Sequence, residues 1–357
     1  MGAEELASEY RSKSRRSRYF TLLLVSVAAV VAVYSICVTQ YDISFSEATE
    51  IVRRHLKHIP VDSGYIAWLK DGIVWDSLVP RSMAGLLVGA ILAVGGAIMQ
   101  IVVKNPLADP YTTGISSGAL LGVTLFVIFG FSAIPGLAGD AGMSVMAFIF
   151  ALIPCALIYF VSTVRKVTST MMILIGIAVM YIFNAAVTLL KYTASDEQVS
   201  EIYSWSVGTL GKCGWGDLPL LLAAFVVIFI FSMAASRILN VMSSDDKFVQ
   251  SLGINASHTR MLGMGVVSAA TAVAVCYTGT IGFVGLVAPH IARVFVGSNA
   301  RLLMPASAAV GAFMLITADS IARVIVSVGV PVGVITSLVG GPIFIYILLR
   351  HHKRVWN

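Results

Sequence analysis

The residues of this 357-residue chain that carry chemistry are few and stand apart. Arg81 opens the string PRSMAGLLVGAILAVGGAIMQIVV and Arg323 closes ADSIAR. A guanidinium at such a place suits either a carboxylate partner or the membrane interface, where long cationic side chains snorkel. Asp245 and Asp246 follow Ser243 and Ser244, so a serine caps a short helix with two acids in its first turn. Leu252 and Gly253 then break that helix, and a second short one follows from Asn255 or Ser257. Thr168 and Ser169 offer small hydroxyls that either line a wet constriction or cap the helix after them. Gln100, Asn184 and Tyr192 are isolated polar groups in or beside apolar runs, suited to lining a conduit or to bonding across helices. His290 follows Pro289 with no second ligand nearby and reads as a structural histidine.

None of these forms a catalytic set. The nearest approach to a phosphate-binding loop, GTLGKC at 208–213, lacks the glycine spacing and the hydroxyl residue. HExxH and a Ser-His-Asp arrangement are absent, so the chain neither hydrolyses ATP nor cuts a bond unaided. An ion-coupled secondary transporter, the rival reading, predicts ionisable residues such as Asp, Glu or Lys at mid-membrane, and the apolar runs hold none of these. A membrane-embedded enzyme or scaffold would need a clustered constellation, which is also missing. Energy, if used, comes from a partner.

The elements that must position these groups are membrane spans. Hydrophobic residues make up 58% of the chain and charged residues 12%, against about 25% charged in soluble domains. Charge-free runs cover 19–41, 82–103, 110–139, 141–164, 167–190, 218–236, 261–292, 302–318 and 324–349. About 20 apolar residues cross the hydrocarbon core. The run 261–292 is long enough for two helices broken near TGTIG at 278–282, which predicts about ten spans in all. With the N-terminus inside, cytoplasmic segments hold 16 Lys+Arg and 6 Asp+Glu, and external ones 8 and 12. The net charge of +6 is thus a topogenic signal rather than a nucleic-acid footprint.

The chain divides into a basic cytoplasmic tail at 1–18, a single membrane domain at 19–350 and a cytoplasmic tail at 351–357. The first apolar run is too long for a cleavable signal peptide and reads as a true span. Residues 237–260 form a cytoplasmic loop, while 42–79 and 193–216 lie outside. Within the first of these, 43–58 has the periodicity of a surface helix. Gly85 and Gly89 form GxxxG, followed by Gly95 and Gly96. Gly114, Gly118 and Gly122 recur every four residues, which predicts one helix face open to close approach. Four cysteines show neither a disulfide framework nor zinc spacing.

Taken as an ordered set, several strings resemble the permease subunits of FecCD-type ABC importers. They are Pro80-Arg81 before a glycine-rich span, Asn105 to Pro110, Gly114 to Gly118, GFVGLVAPHIAR (282–293), LLMPASAAVGA (302–312), ADSIAR (318–323) and PVGVITSLVGGPIFIYILL (331–349). The resemblance implies an all-α, vitamin-B12-importer-like fold in the inner (plasma) membrane with both termini cytoplasmic. It implies a second permease copy, two ATP-binding subunits that use ATP and magnesium, and one external binding protein. This chain itself holds no cofactor or metal and contacts lipid but no nucleic acid. The implied cargo is an iron chelate (siderophore or haem) or cobalamin, with an oxyanion such as molybdate also open.

The same resemblance assigns roles. Arg81 and Arg323 receive glutamates of the binding protein. Asp245, Asp246, Ser251, Leu252 and Gly253 belong to the element that couples to the ATPase. Thr168 and Ser169 form a gate. Asn105, Pro106, Asp109, Pro110, Gly114 and Gly118 are a structural motif. Two positions depart from the family's pattern: Leu78 stands where an arginine is common, and Gly329 where a glutamate is. Both imply a weaker or rearranged docking surface.

Overall fold

A computed structural model describes residues 3–59, 64–134, 138–164, 168–326 and 329–351. The helices are α1 (Ala3–Ser35), α2 (Phe45–Leu56), α3 (Tyr65–Asp71), α4 (Val79–Val102), α5 (Ile115–Phe129), α6 (Gly139–Val164), α7 (Ser169–Lys191), α8 (Asp196–Ser206), α9 (Leu218–Ala234), α10 (Ser236–Met242), α11 (Asp246–Ser251), α12 (Ala256–Thr278), α13 (Val284–Val296), α14 (Ala300–Val324) and α15 (Val332–His351). No strand occurs among the described residues.

The axis of the fold is α4. It is apolar all round, the signature of a helix surrounded by protein, and 89% of its spanning window is buried. Pro80 sits in its first turn, where a missing N–H costs nothing. Around it pack α14, α12, α13 and α9, while α5, α6 and α7 form a second group that meets it through α12. The outer helices are bare: only 11% of the α1 window and 17% of the α7 window is covered, so these faces meet lipid or another chain.

Glycines set the helix spacing. A Cβ on Gly89 would lie 2.3 Å from the carbonyl oxygen of Gly311 in α14, and one on Gly96 would lie 1.7 Å from that of Gly285 in α13. Bare backbone at both crossings brings α4 against its neighbours at the closest range two helices allow.

The ten expected spans map onto this bundle with local differences. Six helices are long and apolar enough to cross alone, α9 and α10 form one pair bent by 65°, and α5, α13 and α15 are shorter apolar helices. The run 261–292 does break where expected, with Gly279 at φ 67° and Phe283 at φ 68° between α12 and α13. The run 110–139 is not one helix. Pro110–Thr113 makes a 3₁₀ turn, Gly114 adopts φ 91°, and α5 ends at Gly130 with φ 63°. Gly114 therefore serves a left-handed cap rather than the packing stripe, which consists of Gly118 and Gly122 against Phe150 and Met146 of α6.

Two further boundaries move. The expected tail at 1–18 is, from Ala3, continuous with the first span in α1, which stops at Ser35. The C-terminal tail at 351–357 lies outside the described residues beyond His351. The expected surface helix at 43–58 is α2, with a reciprocal Ser44–Glu47 capping box and Ala48 fully buried. The second half of the 42–79 connection is helical as well: α3, a π-helical turn at Gly72–Leu78 and α4 run on without a break.

Candidate functional site

At the start of α4 two arginines share one carboxylate. Arg81 donates from Nε to Asp319 Oδ1 and Oδ2 (3.0 and 3.1 Å) and from Nη2 to Oδ1 (2.8 Å). Arg323, one turn after Asp319 on α14, donates to Asp319 from Nε (2.8 Å) and Nη2, and from Nη1 to the Ser35 carbonyl of α1 (2.8 Å). Asp319 is fully buried and Arg323 is 6% exposed. A buried carboxylate is tolerated only with charged partners and filled lone pairs, and here two guanidiniums supply both. The group carries a net +1.

Both arginines singled out in the sequence are thus brought together, but not as free surface cations. Arg323 is committed on all sides and buried. Arg81 keeps 17% side-chain exposure and an Nη1 that makes no hydrogen bond among the described residues. Sequence reasoning missed Asp319, although its i,i+4 spacing to Arg323 on one helix was the available signal. The two departures also find reasons. Leu78 is 5% exposed, packed beneath α2. Gly329 has φ 72°, a conformation that a glutamate would adopt only with strain.

A cap of α2, α3 and the 207–217 segment covers this end. His55 Nε2 lies 2.9 Å from Asp71 Oδ2, its ring stacks on Trp75 at 4.2 Å, and Trp215 donates from Nε1 to the Trp75 carbonyl at 2.8 Å. Lys70 bonds Glu47 at 2.8 Å and holds that exposed carboxyl down at about 2.

The other end of α4 repeats the scheme. Asp246 accepts from Lys104 Nζ and, at 2.5 Å, from Arg260 Nη2, while Arg260 Nε donates to the Val102 carbonyl at 2.9 Å. The Arg260 hydrogen bond, then that of Lys104, lowers the Asp246 carboxyl to about 2. The N-cap of α11 is Asp245, accepting from Lys247 N at 3.1 Å, rather than Ser243 or Ser244. Leu252 ends α11, Gly253 turns at φ 77°, and Asn255 caps α12, so the expected second short helix is the start of a span. Val249 is buried, whereas Phe248 and Leu252 are each 53% exposed. The Ser251 hydroxyl turns back to the Phe248 carbonyl. Asp246 therefore bonds back to its own chain, and the outward face of α11 is mixed: Phe248 and Leu252 stand among exposed Lys247, Gln250 and Ser251.

Beside α11 the turn after α4 is self-satisfied. Asn105 Oδ1 accepts from Leu107 N, and Asp109 Oδ1 from Thr112 N, both at 2.9 Å. His290 Nε2 donates to the Pro106 carbonyl at 2.8 Å, which locks α13 to this turn.

The profile of the FecCD transport family matches residues 21–350. The chain belongs to the FecCD transport family. The haemin transport system permease of Yersinia pestis is 37% identical over 79% of this chain and 84% of its own length. The cobalamin import system permease of Halobacterium salinarum is 34% identical over 85% of each. A metal-chelate-type ABC transporter solved in an inward-facing conformation superposes with a TM-score of 0.80 at 27% identity, covering 93% of this chain and 99% of that one. This FecCD-family chain is a multi-pass, all-α membrane protein.

Its expected pathway residues separate. Thr168 caps α7, accepting from Met171 N at 3.3 Å, with Ser169 partly exposed behind it; residues 165–167 beside them lie outside the described residues. Gln100 bonds across helices, donating to the Leu286 carbonyl and accepting from Arg293 Nη1 at 2.5 Å. Asn184 and Tyr192 lie exposed on and just after α7, beside bare Leu174, Tyr181 and Ile182. No cluster of three or more His, Cys, Asp or Glu able to hold a metal occurs among the described residues.

Proposed function

We propose that this chain is the membrane permease of an ABC importer, moved by two ATP-binding subunits and loaded by an external binding protein with an iron chelate, haem or cobalamin. The observation that carries this reading is α11. It is a short helix outside the spans, fastened by Asp246 to Lys104 beyond α4 and to Arg260 of α12, with Phe248 and Leu252 facing outward. A short knob with two bare apolar side chains, tied to two buried spans, is a handle: a partner that grips it moves α4 and α12 together. The expected coupling residues then split into Asp245 and Asp246, which hold the handle, Leu252 and Phe248, which meet the ATPase, and Ser251 and Gly253, which shape the turn. Lysine and arginine bias puts this end in the cytoplasm.

At the opposite end, Arg81 offers its free Nη1 to a carboxylate of the binding protein, with Asp319 and Arg323 holding its plane. Thr168 and Ser169 stand at the cytoplasmic mouth of the passage, and the bare α7 faces a second copy across it. The charge-poor spans offer a large chelate nothing that holds it; the relatives include haemin and cobalamin permeases of that size class and a molybdate permease outside it. The test is reconstitution in proteoliposomes with candidate ATPase and binding-protein partners. Chelate uptake that requires ATP and both partners is expected; uptake by the chain alone, driven by an ion gradient, refutes the reading.

A further inference from the structure

A second cationic feature lies at the Asp246 end, on the lipid-facing side, and the import reading does not use it. Between α1 and the α13–α14 connection is a cleft of about 700 Å³ whose lining includes Arg16 and Arg293 and, among the described residues, no acidic one. Arg293 is largely covered, and its one hydrogen bond among the described residues goes to the neutral Gln100. Arg16 makes no hydrogen bond or ion pair among the described residues. At both ends of α4, by contrast, the buried arginines are paired directly with an aspartate. A partly buried guanidinium without an anion is costly, so this cleft is short of one.

The surroundings state what kind of anion fits. Phe20 of α1 stacks on Phe295 of α13 with ring centroids 4.2 Å apart, forming an apolar wall. Tyr19, Leu22, Leu23, Val294 and Phe295 stand 55–65% exposed around it on helices that belong to the membrane. A cationic slot at a span end, bordered by bare apolar side chains, matches a phosphate joined to acyl chains. A soluble anion would leave the apolar border unused.

We propose that this cleft is a binding site for the headgroup of an anionic phospholipid, its phosphodiester between Arg16 and Arg293 and its chains along α1 and α13. The site adds a tether between the start of α1 and the α13–α14 connection, on a helix otherwise packed mainly along α14.

The full chain, purified in detergent and depleted of lipid, is titrated with phosphatidylglycerol, phosphatidylcholine or inorganic phosphate, and bound lipid is counted by native mass spectrometry. Phosphatidylglycerol is expected to be retained in preference to phosphatidylcholine. Each lost arginine lowers its apparent affinity about fivefold, with Arg16→Ala as the exposed, fold-neutral change and Arg293→Gln as the second. Arg18→Ala, outside the cleft, leaves binding unchanged. Equal retention of the two lipids, wild-type affinity in Arg16→Ala, or saturation by inorganic phosphate at the same concentration overturns the proposal. So does a crosslink from Arg16→Cys in membranes that reaches an acidic partner chain rather than lipid.

Discussion

Replacing Asp319 by asparagine tests the physical account of the α4 start most directly. The change keeps the side-chain shape and removes one charge from a site with 0% exposure, 2.8 Å from donors on both arginines. Charge centres about 4 Å apart attract by about 4 kcal/mol per pair at an effective dielectric of about 20. Asparagine forfeits both attractions and leaves two guanidiniums facing each other, a loss of about 3–5 kcal/mol. Arg81→Gln leaves a neutral Asp319–Arg323 pair and costs about 1.5–3 kcal/mol, the worth of hydrogen bonds to a charged group. The double variant Asp319→Asn/Arg323→Gln removes the repulsion as well, so it is less damaged than Asp319→Asn alone, with a coupling of about 1–3 kcal/mol. Unfolding by sodium dodecyl sulfate titration in mixed micelles gives the free energies, and the Trp75–Trp215 pair, 4.7 Å apart in the cap above, reports locally by fluorescence. A loss below about 1 kcal/mol in Asp319→Asn, or equal losses in Asp319→Asn and Arg81→Gln, refutes the shared-carboxylate argument.

Further consequences are measurable. Gly89→Ala forces a methyl to 2.3 Å from the Gly311 carbonyl oxygen and costs about 1–3 kcal/mol by overpacking. Gly265→Ala, with nothing within 4 Å, is neutral or stabilising by up to about 1 kcal/mol in the same assay. Because the folded Asp246 carboxyl lies at about 2, below its ordinary 3.8, its fastening of α11 is complete above about pH 4 and is lost as pH falls toward 2. A spin label at Gln250→Cys is immobile from pH 5 to 8, loosens below about 4, and loosens at neutral pH in Lys104→Met. Phe248→Glu leaves the protein folded but abolishes ATP-driven uptake while ATPase subunits still hydrolyse; normal coupling refutes the handle. A maleimide reagent reaches Lys247→Cys only from the cytoplasmic side, and external labelling inverts the topology.

The order of the apolar helices was legible because hydropathy reports it directly, and so was the break within 261–292, where TGTIG marks a turn. Helix ends were less so: α5 is shortened by Gly114 and Gly130, whose left-handed conformations no hydropathy window registers. Arg81 and Arg323 were legible as chemistry but not as a pair, since their meeting depends on α4 and α14 running antiparallel at glycine contact. Asp245 and Asp246 were read together as first-turn acids. The structure divides them, because one caps the helix and the other turns inward to Lys104 and Arg260. Sequence spacing cannot distinguish those roles when the partners lie 14 and 142 residues away.

The two ends are built alike, and that likeness bears on how force would travel between them. Each places one aspartate between two cations: Arg81–Asp319–Arg323 at one end and Lys104–Asp246–Arg260 at the other. One cation of each set belongs to α4 or to the residues just after it. At 24 residues, α4 is about 36 Å long, and its crossings at Gly89 and Gly96 leave no slack against α14 and α13. A displacement of α11 would therefore be delivered through Asp246 to the foot of α4 and carried along it to Asp319 at the head. The thinly covered α1 and α7 can lag. Breaking either aspartate should uncouple the ends while the middle of α4 stays packed. Distance measurements between labels at the two ends, with and without ATPase partners, should then show movement at the Asp246 end alone in Asp319→Asn. Concerted movement in that variant would mean that the glycine crossings alone carry the load.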